Sequence, residues 1–67
     1  MDNKMIEKVI TDARDYSAKY NCITRVLSNG ETLAWYDDST AECNKKYYER
    51  NGYWTALIFE NGNRVEA

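Results

Sequence analysis

The segment Lys45-Lys46-Tyr47-Tyr48-Glu49-Arg50 alternates cations with aromatic rings. Side chains of these types can hold a single-stranded nucleic acid, the lysines and arginine against phosphates and the tyrosines stacked on bases. Glu42 and Glu49 stand among the cations, and the whole chain carries a formal net charge of −2. No long-range attraction to a polyanion is built into such a molecule. Nucleic-acid binding through Lys45, Lys46, Tyr47, Tyr48 and Arg50 is therefore the alternative function rather than the leading one.

Catalytic chemistry has little material. The chain has no histidine, the side chain whose ordinary pKa best suits proton transfer near neutrality and the usual partner of a nucleophilic cysteine or serine. Asp12 and Asp15 have the spacing of an acid and base pair on a helix, but charged residues so placed ordinarily solvate an outer face. Asp37, Asp38 and Glu42 could approach a divalent cation, yet the calcium-loop pattern with its central glycine is missing. Cys22 and Cys43 form no CxxC, so they read as free thiols in small apolar sites rather than as a disulfide or a metal pair. Gly30, Gly52 and Gly62 are isolated and make no phosphate-cradling loop. The expectation is a protein that is not an enzyme and takes no cofactor or metal.

Size points the same way. A chain of 67 residues makes one domain, residues 1–67, and buries only about 60% of the surface its unfolded form exposes. A deep substrate cavity would remove contacts that such a core can hardly lose, so activity belongs on the surface. The apolar fraction of 43% and aromatic fraction of 13% exclude a disordered chain. The longest apolar run, Ala56 to Phe59, is far too short to cross a membrane. The opening Met1-Asp2-Asn3-Lys4 lacks the apolar segment of a secretory signal, and a cytoplasmic location is the expectation.

The elements that must position these residues are legible in turn and periodicity signals. Asn61-Gly62 and Asn29-Gly30 each sit between β-branched and aromatic runs, the signature of a hairpin closed by a type I′ turn. Residues 3 to about 20 fit an amphipathic helix whose inner stripe is Ile6, Val9, Ile10, Ala13 and Tyr20, with Met5 and Tyr16 at its margins. Asp2 or Asn3 can cap it, and Asn21 can end it in the left-handed conformation. Ser39 with Glu42 matches a capping box that opens a second helix over about residues 40 to 51, ended by Gly52. The apolar side of that helix is thin, with Cys43 and Tyr47 flanked by Thr40 or Tyr48. The order is α-β-β-α-β-β: an α+β fold with two β-hairpins in a four-stranded, mainly antiparallel sheet. The two Asn-Gly pairs lie 32 positions apart, which invites an αββ duplication.

Two-residue turns would pair Val26 with Leu33, Thr24 with Trp35, Ile58 with Val65 and Leu57 with Glu66. One sheet face then carries Val26, Leu33, Trp35, Trp54, Ala56, Ile58 and Val65, with Cys22 and Thr24 near its end, and is assigned to both helices. The other carries Ile23, Arg25, Leu27, Thr32, Ala34, Tyr36, Tyr53, Thr55, Leu57, Phe59 and Arg64. That face is too apolar for a solvated sheet. Two readings are open. Exposed, it is a contact surface for another protein through Leu27, Tyr36, Tyr53, Leu57, Phe59 and Arg64, or for a second copy in a homodimer. Covered by one helix per face, or shifted in register by a bulge, it is ordinary core. The leading expectation is a non-enzymatic protein-interaction module, a regulator or inhibitor of another protein. Small proteins of this composition are often carried by phages and other mobile elements, an analogy with no residue behind it.

Overall fold

The computed structural model describes residues 3–65. Helix α1 (Asn3–Tyr20) is followed by strands β1 (Ile23–Ser28) and β2 (Leu33–Asp37). Helix α2 (Ala41–Arg50) then precedes strands β3 (Trp54–Glu60) and β4 (Asn63–Val65), with one 3₁₀ turn at Asp38–Thr40 between β2 and α2. The class and element order are those the sequence predicts. All four strands join one antiparallel sheet in the order β2-β1-β3-β4, so the first strands of the two hairpins meet at its centre. The expected capping role of Asp2 and the pairing of Leu57 with Glu66 lie outside the described residues. No helix among them is long and apolar enough to cross a membrane.

The second Asn-Gly forms the expected turn: Asn61 and Gly62 both have positive φ, 51° and 82°, and Ile58 pairs with Val65. The first does not. Asn29 instead folds its side chain back, its Oδ1 accepting from the N–H groups of Glu31 at 2.9 Å and Thr32 at 2.8 Å. The connection becomes a four-residue loop, and Val26 pairs with Trp35 rather than Leu33. A slide of two residues preserves alternation, so each side chain of this hairpin keeps its predicted face.

α1 lies against one face. Val9, Ile10 and Ala13 pack on Val26, Leu33, Trp35, Leu57 and Phe59. Close approach depends on small residues. Ala13 and Ser17 are wholly buried, and Thr24 Oγ1 donates to the Ala13 carbonyl at 2.9 Å. Ser17 Oγ accepts from the Gly62 N–H at 2.9 Å while donating to the Arg14 carbonyl at 2.7 Å. A Cβ at Gly62 would stand 2.9 Å from Ala18 Cβ, so this turn requires glycine for space as well as for φ. Tyr20, expected in the stripe, is exposed. The helix closes there, with Asn21 left-handed and the Cys22 N–H bonded to the Ser17 carbonyl at 3.1 Å.

The assignment of both helices to one face is corrected: they lie one on each side. α2 attaches to the second face through Tyr48 on Tyr36, and a bulge redistributes β3 between the two faces. β1 pairs Val26 with Leu57 but Leu27 with Thr55, so Ala56 is an extra residue in β3 and alternation inverts across it. Leu57 and Phe59 therefore face α1 and join the core, whereas Thr55 shares the opposite face with Leu27. The two αββ halves are accordingly not packed alike.

A cleft between α2 and the second sheet face

α2 begins differently from the sequence expectation. Asp37 Oδ1 accepts from the Ser39 N–H at 3.1 Å and from Ser39 Oγ at 2.6 Å, which caps the 3₁₀ turn. Ser39 is thus a donor to Asp37 and not the N-cap of a capping box, and Thr40 occupies that position without a side-chain cap bond. The far end follows prediction: Gly52 has φ 79°, and the N–H groups of Gly52 and Tyr53 return to the carbonyls of Glu49 and Tyr48 at 3.1 and 2.9 Å.

The inner side of α2 also differs from the one expected. Cys43 and Tyr47 are exposed, and Tyr48 makes the attachment. Its ring stacks on Tyr36 with centroids 5.9 Å apart and meets Tyr53 edge-on at 5.1 Å. Burial pushes the Tyr48 hydroxyl above its ordinary pKa, with the neighbouring phenols adding to the effect. Tyr53 in turn shares a 2.6 Å hydrogen bond with Thr32 across the β1–β2 loop. Three tyrosines thus fasten a helix that buries no residue fully.

Beside this attachment a cleft of about 250 Å³ runs between α2 and the sheet. Its floor and far wall are Arg25, Leu27, Tyr36, Tyr53, Trp54 and Thr55; α2 supplies Ala41, Glu42, Lys45 and Glu49. Leu27 and Tyr36 are buried, and Trp54, 55% exposed, stands at the rim. Arg25 comes from the central strand β1 and is half-buried, yet among the described residues no carboxylate lies within ion-pair distance of it. A guanidinium in that setting is an available fork of donors.

Of the six residues predicted for protein binding, Leu27, Tyr36 and Tyr53 therefore converge on the cleft. The single contact surface is corrected for the other three. Phe59 is 5% exposed in the core under α1 and Leu57 packs beside it; Arg64 pairs with Phe59 and is exposed on edge strand β4. The predicted set omits Arg25, although alternation already places it on the face of Leu27 and Tyr36, and it omits Trp54, which alternation places on the other face and which pairs there with Ser28 while bordering the cleft at the start of β3. Of the predicted nucleic-acid set, Lys45 lines the cleft, Tyr48 is held in the ring cluster, and Lys46, Tyr47 and Arg50 are exposed elsewhere on α2.

Cys22 is half-buried and Cys43 exposed, neither in a disulfide, so the expectation of two buried thiols holds for neither in full. Burial first, then Asp38 and Asp37, push the Cys22 thiol above its ordinary value, which disfavours the reactive thiolate. Among the described residues no three of Cys, Asp and Glu are grouped to hold a metal ion. The fold is thus an antiparallel sheet between two unequal helices, with a mixed-charge aromatic cleft under the smaller one. Comparison with protein-family models, curated proteins and solved structures finds no match to this chain.

Proposed function

We propose that this protein is a non-enzymatic interaction module, a regulator or inhibitor that engages another protein through the cleft between α2 and the sheet. One observation carries the reading: α2 leaves part of the second sheet face uncovered, and that part presents Arg25, in no ion pair among the described residues, in one cleft with Tyr36 and Tyr53, while the exposed Trp54 borders the cleft from the end of β3. Arginine and large aromatics grouped at a concave surface are the residues that most often dominate protein–protein binding energy. Lys45, Glu42 and Glu49 give the rim both signs of charge, which suits a polar rim around an aromatic centre.

The test is affinity capture from a cell lysate with wild type beside Arg25→Glu and Trp54→Ala, followed by mapping of the purified partner onto the amides of the labelled protein. The expected result is one stoichiometric partner that is lost with both variants while circular dichroism is unchanged, with shifts at Arg25, Leu27 and Thr55. Undiminished capture by the two folded variants would place the contact elsewhere and end this reading.

A further inference from the structure

The edge of β2 is a second and separate surface. β2 is the outermost strand on its side of the sheet and, among the described residues, pairs only with β1. The Asn29 N–H to Thr32 carbonyl bond, at 3.4 Å, closes that ladder, and alternation from it places the inter-strand bonds of β2 at Ala34 and Tyr36. The N–H and C=O groups of Leu33, Trp35 and Asp37 consequently point away from the sheet. Among the described residues only the Asp37 carbonyl has a partner, Thr40 Oγ1 at 3.4 Å. An edge of this kind is a template for another strand, and proteins usually blunt it. β4, the opposite edge, is three residues long and carries the exposed Arg64. β2 has five residues with no proline, lysine or bulge.

Charge decides which strand fits. The edge is bracketed by acids, Glu31 before β2 and Asp37 and Asp38 at its end, and none of these is in an ion pair among the described residues. A second copy added antiparallel about Trp35 would bring Glu31 of each chain toward Asp38 of the other, twice opposing like charges. A strand with basic residues at both ends meets attraction at both. The α2 side of the edge also holds a hollow lined by Ala34, Tyr47, Tyr48 and Asn51, room for one side chain of an added strand. We infer that β2 accepts, by strand addition, an extended segment of another protein with an uncharged β-forming centre and a Lys or Arg at each end.

The probe is a blocked peptide of alternating threonine and valine with a lysine at each end, compared with the same peptide ended by glutamates, each titrated into the labelled full chain. The inference expects saturable shifts and slowed exchange at the Leu33, Trp35 and Asp37 amides, with the glutamate peptide about tenfold weaker at low salt. In Glu31→Lys with Asp38→Lys, both exposed positions, the preference should reverse. The inference is overturned by absence of response at those amides, by equal binding of the two peptides, by a preference that the double variant leaves unchanged, or by concentration-dependent pairing of the protein with itself along β2. Response confined to Arg25, Leu27 and Thr55 would also overturn it, while leaving the cleft reading intact.

Discussion

The Tyr16 phenol and the Asp37 carboxylate tie α1 to the end of β2 and shift each other's titration. The carboxylate of Asp37 lies below its ordinary pKa of 3.8, first because Ser39 donates to it and next because Tyr16 does. The Tyr16 phenol is pushed from 10.0 up to about 12, chiefly by that hydrogen bond to Asp37. Each shift fixes a pH window. The folded chain binds a proton at Asp37 less readily than the unfolded chain, so this stabilisation is complete above the ordinary carboxylate range and is lost as pH falls through the lowered folded value. The folded chain holds the Tyr16 proton more tightly, so that contribution is complete below pH 10 and is lost as pH rises through about 12. Tyr16→Phe should therefore flatten the stability profile at both ends and raise the Asp37 pKa toward its ordinary value. Urea midpoints across pH, with carboxyl titration by NMR, provide the check; an unmoved Asp37 pKa would mean that Ser39 alone sets it.

At the scale of elements, what was legible in the sequence divides by how local its cause is. α1 and the Asn61-Gly62 turn follow from periodicity and a dipeptide, and both stand where the sequence puts them. Asn29-Gly30 carries the same dipeptide and folds otherwise, because Asn29 satisfies two backbone donors with its side chain instead of turning left-handed. The bulge at Ala56 was illegible for a different reason: it is set by how β3 meets β1, across half the chain. Hence simple alternation puts Leu57 and Phe59 on the wrong face and Tyr53 and Thr55 on the right one. α2 shows what weak local information leaves behind, a helix held by ring contacts of Tyr48 with Tyr36 and Tyr53. Aromatic pairs contribute about 0.5–1.5 kcal/mol each beyond their burial, so Tyr48→Ala should release α2 while the α1 face stays packed. Native-state hydrogen exchange would show it: α2 amides should open at a much lower free energy than those of β1. Equal loss of protection in both would mean that α2 belongs to the same cooperative unit.

For the whole molecule the decisive quantity is how little core there is. Ala13, Val26 and Phe59 form its buried centre, with Val9, Ile10, Leu33, Trp35 and Leu57 around them. Phe59 spans the gap between α1 and the two central strands at 5% exposure, a residue that sequence alternation assigns to a binding surface. Truncating a buried phenylalanine costs about 3–5 kcal/mol, and a chain of this length has only about 3–10 kcal/mol in total. Phe59→Ala should therefore remove most of the stability, and Phe59→Glu should abolish the fold by adding a buried charge. Trp54→Ala, at an exposed rim position, should shift the urea midpoint little. The contrast separates the two roles that the sequence could not: a core residue reports in folding, a site residue in binding alone. If Phe59→Ala instead unfolds no more readily than Trp54→Ala, then α1 is not held by this cluster, and the inverted alternation across Ala56 is wrong.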